Sequence, residues 1–338
     1  MLETIKELSL LEGVSGRENA VREYIINAVT GYADSIETDP LGNLIVFKKG
    51  KNTPKNKVML DAHMDEVGMM ITHINSDGTL DFSCVGGIDN RVMLGRAVTV
   101  GENKVNGVIG VKAVHMVPAA EKLTMPSTMY IDIGADSKEE AQKVVSLGDY
   151  ACFNSEFVEF GEDFIKGRAL DDRAGCAILI DMIRSELEYD MYFNFAAGEE
   201  VGFGIAQTAF YKIQPDYAIV VETTTAADLA DVPDNKKVCE LGKGGVISFM
   251  DRRTIYPKEL FDKAFELAEK HGIKAQVKSA VAGGNDAGVI HKTAGGIKTI
   301  TVSLPCRYLH SPSCVLKKED ILESAKLIRV LAEELANG

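Results

Sequence analysis

The chain has 338 residues, a length that predicts one large domain with a second, smaller one. Its hydrophobic fraction of 46% and charged fraction of 26% are ordinary values for a globular protein. The net charge of −13 argues against a general role in binding nucleic acid or an acidic membrane, because either partner would need a basic surface. No apolar run reaches the roughly 18 residues of a transmembrane helix, and the N-terminal segment lacks the basic flank of a signal peptide. We therefore expect a cytoplasmic protein.

The six cysteines contain no C-x-x-C pair and lie mostly in apolar segments. This pattern favours small buried side chains in a reducing compartment over a structural zinc site or a cysteine nucleophile.

The first part of the chain has helix and strand signals in turn. Residues 15–18 (SGRE) fit a capping box, and the apolar residues that follow at helical spacing predict a first amphipathic helix. Residues 43–47 (NLIVF) predict a strand. Residues 57–61 (KVMLD) predict a second, buried strand that ends at the segment AHMDE.

From about Val67 to Phe157 the chain consists of short β-like runs broken by Gly, Asn and Asp, which predicts a small, separate β domain. From Gly167 strands and helices alternate again. The predicted elements are a helix in AGCAILIDMIRSEL, strands in MYFNFAA and YAIVVE, a helix over 258–271, a strand in IKTITVSL and a closing helix over 319–336.

This organisation predicts an α/β fold with a mixed, mainly parallel sheet flanked by helices and interrupted by a small β-barrel domain. We place the first part of the catalytic domain at 1–65, the inserted β-barrel domain at 66–157 and the second part of the catalytic domain at 158–338. Open α/β sheets place their sites at strand ends, where the polar residues below are found.

The segment His63-Met64-Asp65 comes directly after the second predicted strand. Residues two apart on an extended chain face the same way, so His63 could bind a metal while Asp65 holds its other ring nitrogen. The short pattern H-x-D alone is weak evidence.

Two further motifs place paired acids at element ends. In ALDDRAG, Asp171 and Asp172 open a predicted helix; either could cap it, and either could bridge two cations. In GEEVG, Glu199 and Glu200 end an apolar strand between glycines, so one could bind metal while the other transfers protons.

Glu222 ends the run YAIVVE, and His310 follows the run ITVSLP. Each would alone be ordinary surface or core. Together with His63, the Asp pair and the Glu pair, they supply the nitrogen and oxygen ligands that suit two zinc-like ions sharing one carboxylate.

The ordered set HMDE, ALDDRAG, AAGEEVG, VVE and RYLHSP resembles the M42 aminopeptidases, a family of the di-metal exopeptidase clan with a zinc-peptidase-like fold. The resemblance spans nearly the whole chain. It implies cleavage of the N-terminal residue from short peptides with two divalent ions per subunit, zinc or cobalt.

The resemblance also implies roles for individual residues. His63 and Glu222 would hold one metal, Glu200 and His310 the other, and Asp171 would bridge them. Glu199 would be the general base, and Asp65 would orient His63. Many members have Asp where this chain has Glu222. The roles of Asn285, in a Gly-Gly-Asn-Asp segment, and of His115 stay open.

In the same family the inserted domain mediates dimers, which often assemble into a hollow dodecamer. Two other functions remain as alternatives: an endoglucanase-type glycosidase that uses paired carboxylates, and a non-enzymatic scaffold with the same fold. The absence of Trp disfavours sugar stacking, and the intact Glu199 disfavours a scaffold.

Overall fold

The computed structural model describes residues 1–111, 115, 129–202 and 204–338. The helices are α1 (Leu2–Leu10), α2 (Asn19–Val29), α3 (Lys138–Ala141), α4 (Leu170–Arg184), α5 (Ala206–Ile213), α6 (Lys258–His271), α7 (Ala287–Ile290) and α8 (Lys318–Asn337). The strands are β1 (Ser35–Thr38), β2 (Leu44–Lys48), β3 (Val58–His63), β4 (Gly68–Ile74), β5 (Leu80–Val85), β6 (Ala97–Val100), β7 (Val105–Val111), β8 (Met129–Asp132), β9 (Tyr150–Phe153), β10 (Val158–Phe160), β11 (Phe164–Gly167), β12 (Met191–Ala196), β13 (Tyr217–Thr225), β14 (Gly245–Ile247), β15 (Ala275–Val277), β16 (Lys298–Cys306) and β17 (Cys314–Lys317).

The main structural element is an eight-stranded sheet in the order β1-β2-β12-β3-β13-β16-β14-β15. Its central strands β12, β3, β13 and β16 run parallel, whereas the β1–β2, β2–β12 and β14–β16 pairs are antiparallel. Alternate residues of β13 enter different apolar clusters: Ile219 packs with α4 and α8, and Ala218 packs with α5 and α7. Both faces of the sheet are therefore covered, and the predicted fold class is confirmed.

The insert is a closed six-stranded barrel with the strand order β4-β5-β8-β7-β6-β9. Its strands run from Gly68 to Phe153 and surround their own core, which includes Met69, Val98 and Ile131. The barrel leaves the sheet after β3 and returns before β10. The domain limits at 65/66 and 157/158 stay a prediction.

Two local expectations at the start of the chain are wrong. The first helix is α1, and the predicted amphipathic helix is α2, which begins without a side-chain cap. Ser15 does not cap it, because its hydroxyl donates to Asp65 Oδ2 at 2.6 Å. Glu18 instead accepts the backbone N–H of Gly16 at 2.7 Å. A tertiary hydrogen bond has replaced the local one that the pattern suggested.

The strand that carries Glu222 is also longer than predicted. It continues to Thr225 because residues 223–225 pair in parallel with 304–306 of β16. Glu222 therefore lies inside the strand and is buried.

No helix in the described residues combines the length and apolar composition that crossing a bilayer requires.

Candidate metal centre

The polar residues selected from the sequence meet at one edge of the sheet. His63 is the last residue of β3, Glu200 follows β12, and His310 follows β16. Glu222 lies inside β13, in the half of the strand nearer its carboxyl end, and Asp171 lies at the start of α4. Since these central strands are parallel, their carboxyl ends converge at the same edge.

The first group consists of His63, Asp171 and Glu222. His63 Nε2 lies 3.3 Å from Asp171 Oδ1 and 3.5 Å from Glu222 Oε1. All three side chains are buried. The ligand atoms of the group lie within 4.8 Å of one another, close enough to share one cation.

The second group consists of Asp171, Glu200 and His310. His310 Nε2 lies 3.3 Å from Asp171 Oδ2 and 3.2 Å from Glu200 Oε2. These ligand atoms also lie within 4.8 Å of one another. Asp171 belongs to both groups and turns a different carboxylate oxygen toward each histidine.

The adjacent acids of ALDDRAG have separate environments. Asp171 and Asp172 have non-helical backbone angles although they lie within α4, so the regular helix begins after them. Asp172 is fully buried and accepts the backbone N–H of Gly175 at 3.1 Å. Asp172 thus has the hydrogen-bond geometry of a helix cap, whereas Asp171 lies between the two histidines.

Each histidine is held through its other ring nitrogen. His63 Nδ1 lies 3.1 Å from the carbonyl oxygen and 3.3 Å from Oδ1 of Asp65. His310 Nδ1 lies 2.7 Å from the carbonyl oxygen of Gly87, which follows β5 of the barrel. Such partners fix the ring orientation of a metal-binding histidine. Gly87 was not predicted, because a backbone carbonyl leaves no side-chain signal in a sequence.

Asp65 does more than the sequence suggested. Its two carboxylate oxygens accept the backbone N–H groups of Glu199 and Glu200, at 3.0 Å and 3.1 Å. Ser15 donates a third hydrogen bond to the same carboxylate. One buried side chain therefore positions His63 and the Glu pair together.

The protonation of the histidines and carboxylates in the centre depends on their burial and on their charged neighbours. Burial alone would lower the pKa of His63, but the carboxylates of Glu222, Asp171 and Asp65 outweigh it and raise this pKa well above 6.5. Burial would raise the pKa of Asp171, yet hydrogen bonds from His310 and His63 hold it well below 3.8. Burial, together with the nearby Asp171, raises the pKa of Glu200 and Glu222 well above 4.5.

The donor set fits divalent cations. Two imidazoles and three carboxylates offer only nitrogen and oxygen ligands, which zinc and similar ions accept. The two groups share one carboxylate, as a pair of ions about 3.5–4 Å apart would require. Two cations would also compensate the buried carboxylates, whose charges are otherwise costly to bury.

Glu199 stands apart from both groups. Burial raises the pKa of its carboxyl to about 7, with the carboxylates of Asp65 and Asp171 adding to the effect. Within the described residues its carboxylate accepts no hydrogen bond from a side chain, and it lines the cavity in front of the centre. A carboxyl group whose pKa lies near neutral pH is suited to exchange protons with a substrate.

A cavity of about 480 Å³ opens in front of the centre. Its lining includes Asp171, Glu199, Glu200, Glu222 and His310. It also includes Lys278, Arg252 and Arg253, which the sequence analysis did not predict, and Asn285, whose role was left open. No local pattern marks these residues, because they come together only when the loops after β14 and β15 fold.

The comparisons with known proteins agree with this geometry. The model of the family described as M42 glutamyl aminopeptidase matches residues 42–327. The chain is similar to the lysyl aminopeptidase of Pyrococcus furiosus, with 33% identity over 98% of this chain and 97% of that protein.

Two solved structures have the same fold. The TET1 peptidase of Pyrococcus horikoshii, described as able to assemble into a tetrahedron or a large octahedral shell, is 36% identical over 99% of both chains, with a TM-score of 0.86. A Thermotoga maritima structure described as an endoglucanase is 37% identical over 98% of this chain and 96% of that chain, with a TM-score of 0.81.

The fold and the convergent histidines and carboxylates define a metal-dependent hydrolase. The chain belongs to the M42 family of aminopeptidases. It is therefore a metallo-aminopeptidase, an exopeptidase that acts at the N-terminus of its substrate.

Proposed function

We propose that this aminopeptidase removes single residues from the N-terminus of short peptides, using two zinc or cobalt ions per subunit. His63 and Glu222 would hold one ion, Glu200 and His310 the other, and Asp171 would bridge them. The observation that carries the proposal is that the two oxygens of Asp171 face two different histidines, each at 3.3 Å.

Glu199 is proposed as the general base. Bound cations would polarise the scissile carbonyl and lower the pKa of the attacking water. The Glu199 carboxylate would accept the proton of that water and deliver it to the leaving amine, as its position on the cavity wall allows. Asp65 would keep this carboxylate in place through the backbone N–H of Glu199.

A panel of aminoacyl p-nitroanilides tests the activity and the metal together. The chelated enzyme is expected to be inactive and to regain turnover on addition of Zn²⁺ or Co²⁺, with two ions bound per chain. Mn²⁺ and Mg²⁺ serve as comparisons. Full activity after chelation would contradict the proposal.

End-selectivity is tested with a pentapeptide and its N-acetylated twin. The free ammonium group is expected to be anchored by the carboxylates around the ions, and acetylation removes that charge. Leaving a buried charge without its partner costs several kcal/mol, which corresponds to a loss of at least about 100-fold. Mass spectrometry over time should show a ladder of products from the free peptide alone; comparable cleavage of the acetylated twin would contradict the proposal.

The endoglucanase description of the Thermotoga relative makes a glycosidase the second candidate. Glycosidases use two carboxyl groups separated to suit a water or a covalent intermediate, and they need no histidine against each acid. Here Glu200 and Glu222 each lie 3.2–3.5 Å from an imidazole nitrogen, an arrangement that favours metal binding. Hydrolysis of a cellulose oligomer by the chelated enzyme would favour the glycosidase.

We further propose a cytoplasmic homododecamer that is assembled from dimers, with residues 66–157 as the dimerisation domain. Exposed apolar side chains on this domain support a protein contact: Leu94, Val108, Val144 and Leu147. Analytical ultracentrifugation of the full chain and of Val108→Lys tests the assembly, and a monomeric wild-type chain would contradict it.

A further inference from the structure

The segment that carries His63 and Asp65 is held by side chains of a neighbouring helix. Strand β3 ends at His63, so the carbonyl groups at this point need partners outside the sheet. The carbonyl of His63 accepts the thiol of Cys176 at 3.1 Å, and the carbonyl of Met64 accepts the Nε–H of Arg173 at 2.8 Å. Both donors belong to α4 and are three residues apart, so they lie on the same face of that helix.

The same helix supplies the carboxylate that both ligand groups share. Asp171 lies two residues before Arg173, and its Oδ1 is 3.3 Å from Nε2 of His63. The spacing of these two candidate ligands therefore depends on how α4 is placed against the end of β3. A hydrogen bond from a charged donor, such as the one from Arg173 to Met64, is among the stronger contacts that can fix this placement.

The guanidinium group of Arg173 is fully buried and joins further segments. Its Nη1 donates to the carbonyls of Leu8 and Leu11, at 2.6 Å and 3.2 Å, at the carboxyl end of α1. Its Nη2 lies 3.4 Å from Oε1 of Glu66. A planar guanidinium group has five N–H donors in fixed directions, so a single side chain can hold α1, α4 and the end of β3 together.

Glu66 has a second cationic partner that is closer. Nη1 of Arg168 lies 2.7 Å from each carboxylate oxygen of Glu66, and its Nη2 donates to the carbonyl of Leu10 at 3.0 Å. Arg168 is also buried. The two arginines thus share a counter-ion and both contact the end of α1, but among the described residues only Arg173 donates to the carbonyl of Met64. Arg168 is therefore a matched control for the ion pairing of Arg173.

We propose that Arg173 is a positioning residue for the metal centre. Its guanidinium group sets the spacing of His63 and Asp171 by holding the carbonyl of Met64 against α4, and the Cys176 thiol assists at the adjacent carbonyl. The inference rests on the two-ion centre proposed above and adds to it a residue that contacts neither ion.

Zn²⁺ affinity tests this role without use of turnover. His310→Ala retains the His63 group, so calorimetric titration in that background measures the His63 site. Arg173→Met should weaken Zn²⁺ binding there about tenfold, whereas Arg168→Met should change it by less than about threefold. Each variant removes one buried guanidinium group from Glu66, so both should lose stability, and the titrations are made at a temperature where circular dichroism shows both to be folded.

Arg173→Lys separates charge from geometry. Lysine keeps a positive charge near Glu66, but one ammonium group cannot reproduce the fixed fork that reaches Met64 and α1 together. The visible absorption spectrum of bound Co²⁺ reports the arrangement of its ligands. It should change in Arg173→Lys and stay the same in Arg168→Lys.

Cys176 tests the same helix face if the Arg173 variants do not fold. Cys176→Ala removes the donor to the His63 carbonyl and leaves a small side chain in place. It should weaken Zn²⁺ binding at the His63 site about threefold, the value of one ordinary hydrogen bond. Cys176→Ser retains a donor and should recover most of the loss.

Unchanged Zn²⁺ affinity in Arg173→Met would overturn the inference, as would equal losses in Arg173→Met and Arg168→Met. A Co²⁺ spectrum that Arg173→Lys leaves unaltered would also overturn it, because charge alone would then suffice. If the Arg173 variants do not fold, unchanged affinity in Cys176→Ala has the same consequence. Failure of the wild-type chain to bind two ions would instead overturn the proposed centre.

Discussion

The two ligand groups of the centre differ in how the fold supports them. His63 ends a central strand, is 2% exposed and is held by Asp65 two residues away. His310 lies on a loop, is 31% exposed and has a positive φ of 56°. Its ring nitrogen Nδ1 is held by the carbonyl oxygen of Gly87, which follows β5 of the barrel.

The His63 group is supported by a residue close to it in the sequence. The His310 group depends on a contact with a residue that is distant in the sequence. A non-glycine residue with positive φ costs of order 1 kcal/mol and persists only where its surroundings enforce it. We therefore expect the His63 group to bind its ion more tightly than the His310 group.

Glu199→Gln should have the largest effect on catalysis, although Glu199 belongs to neither group. Turnover is expected to fall about 10²–10⁴-fold, because a positioned proton acceptor contributes that much. Both ions should remain bound. Metal analysis and steady-state kinetics check this, with Glu200→Gln as the companion variant that should also lose metal. Near-wild-type turnover in Glu199→Gln would remove it as the base.

Asp171→Asn should weaken both sites, because only a shared ligand contacts both ions. His310→Ala should weaken mainly one site. Each loss of metal affinity should exceed the roughly 10–100-fold loss that is typical when a residue hydrogen-bonded to a metal ligand is changed. Calorimetric titration of Zn²⁺ into the stripped variants measures both affinities. Two intact sites in Asp171→Asn would show that another residue bridges.

Asp65→Asn should have a smaller effect, a loss of about 10–100-fold in affinity at the His63 site, because it weakens the support behind the imidazole. The amide keeps the shape of the side chain but removes its charge. Its effect on the other site should be weaker, since there it acts only through the backbone N–H of Glu200. Equal losses at both sites would contradict the proposed difference between the groups.

A further effect concerns the stability of the protein without metal. The pKa of Glu199 is raised from 4.5 to about 7, and that of His310 from 6.5 to about 10. A raised pKa means that the folded state holds the proton more tightly, so this stability is present at low pH and lost as pH rises through the window. The Glu199 part amounts to about 3 kcal/mol.

The melting temperature of the chelated protein should therefore fall from about pH 5 to pH 9. The lowered pKa of Asp171 and of Asp65 acts only below about pH 4 and does not oppose this trend. Zn²⁺ should reverse the trend, because its ligands bind in their deprotonated forms. Scanning calorimetry with and without Zn²⁺ measures both slopes, and a chelated protein that becomes more stable at higher pH would refute the assignment.

Much of the fold was predictable because the sequence patterns that indicate helices and strands are local. Helix α6 has the bounds predicted from its apolar spacing and its terminal glycine, and the buried runs around β3, β12 and β13 gave strands. Errors occurred where a distant residue competed with a neighbour. Ser15 bonds to Asp65 instead of capping α2, and pairing with β16 extends β13 beyond Glu222.

The sequence by itself determined the kinds of donor atom and their order along the chain, because the histidines and carboxylates lie in short motifs beside apolar runs. The tertiary structure alone decided that Asp171 faces both histidines and that Gly87 holds His310. These relations join residues more than 90 positions apart, and they follow from how the strands and loops pack, which no local pattern encodes.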